Sequence, residues 1–277
     1  MKLILGDNQF FGINHADLDK ALKTKEIFKN EASINSFIRH ALKCGMDGFM
    51  INSNRIGYNI INNFSFNHEI HYSLPYPHKY ASIVNEKGLL SLLNYFFSKT
   101  SFIKILICLP RFIFSGNLKY LLPIATSLEI PKNLPKGSTV YLQNILTDLL
   151  IGINRLDILE YFVVDIRKKG YKPGIITLNP LMISKKIFSS EILNQDDLVL
   201  CFNVNKEGFN VFPNLEDVEK FISQKKKIKL MAMSIFSSGA SEINTSIDYI
   251  KKLKLDYVVF GSSKIKNIKS NLEFFKK

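Results

Sequence analysis

An α/β fold, the (β/α)₈ barrel, is what this sequence predicts, and three observations support the prediction. Short β-rich runs alternate with stretches of helical periodicity along most of the chain. The length of 277 residues suits a fold that typically needs about 250 residues. The last fifth of the chain also holds two successive strand–loop–helix units with small polar loops, which is how such barrels build a phosphate site.

The strands are predicted from short runs rich in β-branched and aromatic residues. In chain order they are Leu3–Leu5, Gly48–Ile51, Ile70–Leu74, Thr139–Leu142, Ile175–Leu178, Leu198–Phe202, Lys229–Met233 and Tyr257–Phe260. Crossover helices are predicted where apolar residues recur three and four positions apart and where Asn, Asp or Ser precedes the run. These helices are Ile34–Lys43, Leu156–Lys169, Leu215–Lys226, Glu242–Leu253 and Lys266–Phe275.

The segment 85–136 is too long for one crossover helix, and we interpret it as a helical insertion after the third strand. It contains a possible ninth strand at Ile103–Cys108, so a barrel opened or enlarged by that strand is the alternative. Its apolar stretch Phe102–Phe114 is a candidate dimer interface or membrane-surface patch, but burial under the insertion is favoured. We therefore expect one TIM-barrel domain over residues 1–277, with a homodimer through the insertion as one possibility.

The net charge of +13 raises the question of nucleic-acid binding. Nearly all of the excess is lysine, much of it at predicted helix ends, where it opposes the negative end of the helix dipole and faces water. We therefore expect a solvated basic surface and no nucleic-acid partner.

Cysteine content and hydropathy bear on location. The three cysteines are far apart and form neither a disulfide framework nor a metal-spaced cluster. The longest apolar stretch is interrupted by two basic residues and a proline, and it is shorter than the roughly 20 residues of a spanning helix. The first residues lack the apolar core of a signal peptide. A cytoplasmic protein without a membrane span is expected.

Amide side chains follow several of the predicted strands, at the end of the barrel where chemistry takes place in this fold. A mouth lined with neutral donors and acceptors suits a polyol, a sugar or an amide-bearing ligand, although asparagine is also common in turns. The predicted substrate-binding residues are Asn8, His15, Asn52, Asn144, Asn179, Asn203 and Lys206.

Ionisable side chains are sparse at the predicted mouth. His78 and Lys79 lie in a stiff aromatic loop after strand three and are the favoured acid–base pair, with Lys79 also suited to Schiff-base chemistry. Tyr76 and Asp7 complete the candidate catalytic set. Lys79 pairing with a surface acid is an equally good interpretation. A metal site from Asp7, His15 and His78 is geometrically possible but not favoured, because no metal-binding motif is present.

The two loops near the C-terminus predict an anion site. Glycine lets the backbone approach a phosphate, and the helix that follows supplies free N–H groups and a positive dipole end. The candidate phosphate or cofactor residues are Ser234, Ser238, Gly239, Gly261, Ser262, Ser263 and Lys264.

These terminal segments resemble the aldo-keto reductase superfamily. Ser234–Gly239 is similar to that family's seventh-strand loop, and the segment from Gly261 to Lys264 resembles the one that holds the adenosine phosphate of NADP. The residues Tyr141–Asn144 are also similar to an uncharacterised family of bacterial barrels. The reductase family uses an Asp–Tyr–Lys–His tetrad, but Asn52 stands at its aspartate position and Gln143 or Asn144 at its histidine position. The resemblance thus implies the fold and the phosphate site, not the reaction.

Three functions follow as expectations. The favoured one is a lyase or isomerase that acts on a phosphate-bearing or nucleotide-linked small polar substrate, such as a sugar derivative, as in bacterial carbohydrate metabolism. The second is an aldo-keto-reductase-like oxidoreductase with NADP as cofactor. The third is a barrel that binds a metabolite without catalysis, which the shortage of mouth carboxylates leaves open.

Overall fold

The computed structural model describes residues 1–11, 24, 26–63, 68–75, 85, 88, 91, 102–224 and 227–277. Eight parallel strands close into a barrel in the order of the sequence, which confirms the predicted fold class. The strands are β1 (Lys2–Leu5), β2 (Gly48–Asn52), β3 (Glu69–Leu74), β4 (Thr139–Leu142), β5 (Lys172–Ile176), β6 (Val199–Asn203), β7 (Lys229–Met233) and β8 (Tyr257–Phe260).

Ten helices of more than one turn lie in the described part of the chain. They are α1 (Glu31–Lys43), α2 (Arg55–Asn63), α3 (Phe102–Ser115), α4 (Leu122–Glu129), α5 (Asn144–Gly152), α6 (Leu156–Lys168), α7 (Pro180–Ser189), α8 (Leu215–Ser223), α9 (Ile243–Lys252) and α10 (Ile265–Lys276). Short 3-10 turns lie at Asn8–Phe11, Leu118–Leu121 and Ser237–Gly239. Most strands are thus followed by a helix that covers the outside of the barrel.

Side chains alternate between two cores along each strand, because successive residues of a strand point to opposite faces. The inner core fills the barrel and includes Ile4, Tyr141, Cys201, Met231 and Val259. The larger outer core lies between strands and helices, and in it β-strand residues meet the apolar faces of helices such as α6. The interior of the barrel is therefore packed, and open space for a ligand is expected only at its ends.

The prediction for β5 was wrong by three residues at its start and two at its end. The strand runs over Lys172–Ile176 rather than Ile175–Leu178. Pro173 and Gly174 are poor strand formers, but a Cβ at Gly174 would lie 2.3 Å from Cδ1 of Tyr141, so only glycine admits that ring. At the other end, the Asp148 carboxylate accepts a hydrogen bond from the N–H of Leu178 at 3.0 Å, which takes Leu178 out of the strand.

The possible ninth strand at Ile103–Cys108 is wrong, because those residues belong to helix α3. The predicted burial of this apolar stretch is also wrong: Ile103 is 67% exposed and Phe114 is 90% exposed. An apolar run of this length fits a strand or a helix equally well by composition, and only its contacts decide between them.

A polar network lies inside the barrel near the N-terminal ends of the strands. Buried His71 lies with Nδ1 at 2.8 Å from the hydroxyl of Tyr141. Its Nε2 is 3.7 Å from a carboxylate oxygen of Glu69, which also pairs with Lys2. The nearby imidazole and the Lys2 ammonium outweigh burial and lower the pKa of Glu69 to about 2. Burial lowers the pKa of His71. We call this set the lower network.

Candidate active site

Asp7 is the buried carboxylate of the barrel mouth. It follows β1 and is 5% exposed. Its Oδ2 accepts a hydrogen bond from the backbone N–H of Asn52 at 2.8 Å, and its Oδ1 accepts one from Nδ2 of Asn52 at 2.9 Å. Asn52 is the last residue of β2, so the two strand ends are joined by this pair. The structure thus places two of the predicted site residues in direct contact.

Gln143 extends this contact across the mouth. Its Nε2 donates to Oδ1 of Asn52 at 2.5 Å, and it directly follows β4. Between β2 and β4, the buried hydroxyl of Ser73 on β3 makes no hydrogen bond to any residue that the structure describes. Asp7, Asn52 and Gln143, which we call the upper network, therefore run from β1 to β4 beside this buried hydroxyl.

Burial shifts the titration of the mouth carboxyl. It raises the pKa of Asp7 from 3.8 to about 6, and the hydrogen bonds from Asn52 offset part of that rise. A carboxyl group with a pKa near 6 holds a proton in part of the molecules at neutral pH. It can therefore both donate and accept a proton, which an ordinary aspartate does poorly at that pH.

Gln143 was missed as a site residue, and Asn144 was predicted in its place. Asn144 is the half-buried first residue of α5, whereas Gln143 is buried in the mouth. Alternation along β4 could have separated them, because Gln143 lies two residues after the inward-pointing Tyr141 and therefore shares its face. Proximity to the strand end alone does not distinguish the two amides.

The other predicted amides have mainly local partners. Asn179 caps α7 by accepting the N–H of Met182 at 3.1 Å, and buried Asn203 donates to the carbonyl of Asn210 at 2.9 Å. Asn8 and Lys206 are exposed. The loop after β6 is closed by Asn205, a second residue that sequence reasoning missed, which bonds both backbone groups of Phe209 at 2.8 Å. Predicted contacts of these residues with a substrate stay predictions.

Four predicted site residues, His15, Tyr76, His78 and Lys79, lie outside the described residues. Among the residues that are described, no group of three His, Cys, Asp or Glu side chains has the arrangement of a metal site.

The serine-rich loop after β7 has an unusual backbone. Ser234, Ser237 and Ser238 have φ values of 60°, 48° and 59°, in the left-handed region that side chains other than glycine rarely adopt. Buried Ser237 accepts a hydrogen bond from the hydroxyl of Ser241 at 2.7 Å, which fixes the loop. Non-glycine residues in this region cluster at ligand sites, where the surrounding structure holds them in place.

Two helices begin behind the predicted anion loops, and neither has a side-chain cap. Helices α1, α7 and α8 are capped by Asn30, Asn179 and Asn214. The N-cap residues of α9 and α10, Glu242 and Lys264, make no side-chain capping bond to any described residue, and the same holds for α4, α5 and α6. The first N–H groups of these two helices are therefore available to an anion at the same side of the barrel.

Gly261 has a packing role in addition to its predicted one. A Cβ at this position would lie 2.2 Å from Oε1 of Gln9, so the missing side chain leaves room for Gln9. Nε2 of Gln9 in turn donates to the carbonyl of Gly6 at 2.6 Å. The next residues are more open: Ser262 and Ser263 are half-buried and Lys264 is exposed.

Comparison with known proteins supports the fold and no more. No family model and no curated protein matches the chain. Among solved structures, a Pseudomonas aeruginosa protein provisionally named an aldo-keto reductase matches with a TM-score of 0.56 and 10% identity, over 99% of this chain and 89% of that one. An aldo/keto reductase from Brucella melitensis matches with a TM-score of 0.50 and 13% identity, over 99% and 89%. The chain shares a closed eight-stranded barrel fold with these structures. At such identities the likeness shows the barrel fold alone.

Proposed function

We propose that the protein is an oxidoreductase that binds a nicotinamide nucleotide, with NADP preferred over NAD. It reduces or oxidises a small polar substrate at the barrel mouth. The observation that carries the proposal is the pair of uncapped helix starts behind the serine loops of β7 and β8, in a barrel of the aldo-keto reductase fold. When bound, such a nucleotide supplies or accepts the hydride.

The residues at the ends of β7 and β8 fit a phosphate group. The start of α10 is preceded by Ser262, Ser263 and Lys264, which offer two hydroxyls and an ammonium group. The strained loop before α9 contains Ser238. Backbone N–H groups at a helix start favour an anion through both hydrogen bonds and the helix dipole. A lysine adds a formal positive charge to that site.

Asp7 is the proposed proton donor and acceptor for the substrate. Its carboxyl holds the proton that a carbonyl oxygen needs when it becomes a hydroxyl, and its raised pKa permits that transfer near neutral pH. Asn52 fixes the carboxyl, and Gln143 in turn holds Asn52. At the strand ends where the reductase family has aspartate and histidine, this chain thus has two amides, and its carboxylate comes from the neighbouring strand β1.

Isothermal titration of the protein with NADPH and with NADH tests the binding step. We expect saturable binding of NADPH that weakens about tenfold or more in Lys264→Ala, because a charge-assisted contact is lost. Lys269→Ala removes the same charge from an exposed position further along α10 and serves as the control. The proposal is contradicted if neither nucleotide binds, or if the two variants lose equal affinity for NADPH.

A lyase or isomerase that acts on a phosphate-bearing sugar is the second candidate. The upper network favours it, because a carboxyl with a pKa of about 6 beside neutral amides suits proton transfer between hydroxyl-bearing carbons. In this version His78 and Lys79 join Asp7. Turnover of a sugar phosphate without nucleotide, together with a mass increase on Lys79 after borohydride reduction, supports this candidate over the first. Ligand binding without any turnover supports a metabolite-binding barrel.

A further inference from the structure

The outer face of helix α3 is apolar, whereas a surface helix normally exposes polar residues. Phe114 is 90% exposed, Ile113 is 67% exposed and Leu106 is 63% exposed. The opposite face carries Cys108, which is buried at 8% exposure. Helix α3 therefore packs on the protein with one face and presents a second apolar face to the solvent.

The exposed residues form a continuous stripe. With 3.6 residues per turn, the outward residues fall within an arc of about 120° and extend about 17 Å along the helix. We call this set the apolar stripe; its members are Ile103, Leu106, Ile107, Pro110, Ile113 and Phe114. A stripe of this width is typical of a helix that buries one face against something apolar.

The sequence around the stripe carries basic residues and no acidic ones. Between Glu86 and Glu129 the sequence contains no acidic residue. It contains five basic ones, which are Lys87, Lys99, Lys104, Arg111 and Lys119. Arg111 is exposed on the same helix. A surface that combines exposed apolar side chains with positive charge is complementary to an apolar layer covered by negative charge.

We propose that the apolar stripe docks onto the surface of an anionic lipid bilayer. The apolar side chains enter the boundary between headgroups and acyl chains, and the exposed Arg111 beside them attracts anionic headgroups. Helix α3 has 14 residues, which is too short to cross the hydrocarbon layer. None of the helices in the described ranges is long and apolar enough to span a membrane. The helix therefore lies in the plane of the interface.

A second copy of the chain is a poorer occupant of the same face. In a two-fold dimer each copy presents the same patch to its partner, so the exposed Arg111 of each copy brings like charge to the shared interface. The segment contains no acid that could compensate for this repulsion. An anionic bilayer, by contrast, attracts these positive charges.

A second set of exposed apolar residues lies on α5. Ile145, Leu149 and Ile153 recur every four residues along α5 and just beyond it, and they are 57%, 54% and 58% exposed. Nη2 of Arg155 donates to Oδ1 of Asn117 at 2.8 Å, which joins the segment after α5 to the one after α3. Helix α5 begins immediately after Gln143 of the upper network, so docking that also includes these residues would bring the bilayer near the barrel mouth.

Flotation of the whole protein with lipid vesicles tests the proposal. Vesicles of phosphatidylcholine with a minority of phosphatidylglycerol are expected to carry the protein to the top of the gradient, and high salt is expected to release it. Ile113→Glu is expected to weaken this binding about tenfold or more, since it removes an apolar contact that docking would bury and adds a negative charge. Ile27→Glu is the matched control, because Ile27 is 51% exposed and lies outside the segment.

Three outcomes overturn the proposal. They are the absence of flotation with anionic vesicles, equal flotation with pure phosphatidylcholine, and equal binding by the Ile113→Glu and Ile27→Glu variants. Sedimentation velocity distinguishes the second copy: a dimer that Ile113→Glu converts to monomer, without vesicle binding, assigns the stripe to self-association instead. If Ile113→Glu does not fold, Phe114→Glu replaces it, since that side chain is 90% exposed.

Discussion

Two carboxylates lie at opposite ends of the same barrel, and folding moves their pKa values in opposite directions. Burial raises the pKa of Asp7 in the upper network to about 6. In the lower network, the imidazole of His71 and the ammonium of Lys2 lower the pKa of Glu69 to about 2. Asp7 has amide partners in the described structure, whereas Glu69 has a cation.

The difference separates a structural carboxylate from a candidate catalytic one. Glu69 stays ionised because its charge is compensated, so it stabilises the closed end of the barrel and has no proton to exchange near neutral pH. Asp7 is held by Asn52 without charge compensation, which leaves its proton available. Buried groups whose pKa values lie near the working pH are the ones expected to act in catalysis.

Asp7→Asn is expected to have the largest effect on function. If Asp7 transfers the proton, turnover falls about a hundredfold or more, while the melting temperature changes little because a neutral amide replaces a costly buried charge. Steady-state kinetics with the substrate that binding assays select, together with a thermal melt, give the two readouts. Full activity in the folded variant rules out the proposed role of Asp7.

Gly174→Ala is expected to disturb the packing of Tyr141 beside the lower network. The new Cβ would lie 2.3 Å from Tyr141, whose hydroxyl contacts His71 in the lower network. We expect a loss of about 1–3 kcal/mol in the free energy of unfolding, measured by urea denaturation. Gly152→Ala is the control, because an added Cβ there meets no atom within 4 Å among the described residues. Equal stability of the two variants is incompatible with the packing described for Tyr141.

Glu69→Gln tests the structural role of Glu69 and is expected to lower the stability less than Gly174→Ala does. The substitution removes the ionic contacts with Lys2 and His71 and is expected to lower the free energy of unfolding by up to about 1 kcal/mol. Catalytic turnover is expected to remain unchanged, in contrast to Asp7→Asn. Glu216→Gln, which breaks an exposed pair with Lys220, is the control and should change the stability less. A loss of turnover in Glu69→Gln would remove the distinction between the two ends.

The pH dependence of stability distinguishes the two carboxylates without any need for a substrate. The raised pKa of Asp7 gives a stabilising contribution that is present below pH 3.8 and is lost as the pH rises through about 6. The lowered pKa of Glu69 gives one that is present above pH 4.5 and is lost as the pH falls through about 2. Unfolding free energies measured across pH are expected to lose the first slope in Asp7→Asn and the second in Glu69→Gln. Identical profiles in wild type and variants contradict both assignments.

The architecture could be predicted from the sequence because it depends on local patterns. Three strands have the predicted bounds, Thr139–Leu142, Lys229–Met233 and Tyr257–Phe260, since apolar runs between turn residues define them. The shift at β5 has a long-range cause, the ring of Tyr141 that requires Gly174. The exposed face of α3 could not be predicted either, because composition does not say which side of an apolar helix meets the protein.

The candidate site could be predicted only in part. Asp7 and Asn52 were selected from their positions after strands, but their bond joins residues 45 positions apart in the chain. Gln143 enters the upper network from 91 positions away. The left-handed conformations of Ser234, Ser237 and Ser238 also have no signal in the sequence, since serine shows no preference for that region.

The most direct measurement is a ¹³C NMR titration of the aspartate carboxyl carbons in wild-type protein and in Asp7→Asn. We expect one carboxyl resonance with a midpoint near pH 6 in the wild type, and its absence in the variant. A shift of that midpoint on addition of NADPH would connect the carboxyl to the nucleotide site. If every aspartate carboxyl instead titrates below about pH 5, Asp7 is an ordinary carboxylate, and the assignment of the upper network as the catalytic end of the barrel is contradicted.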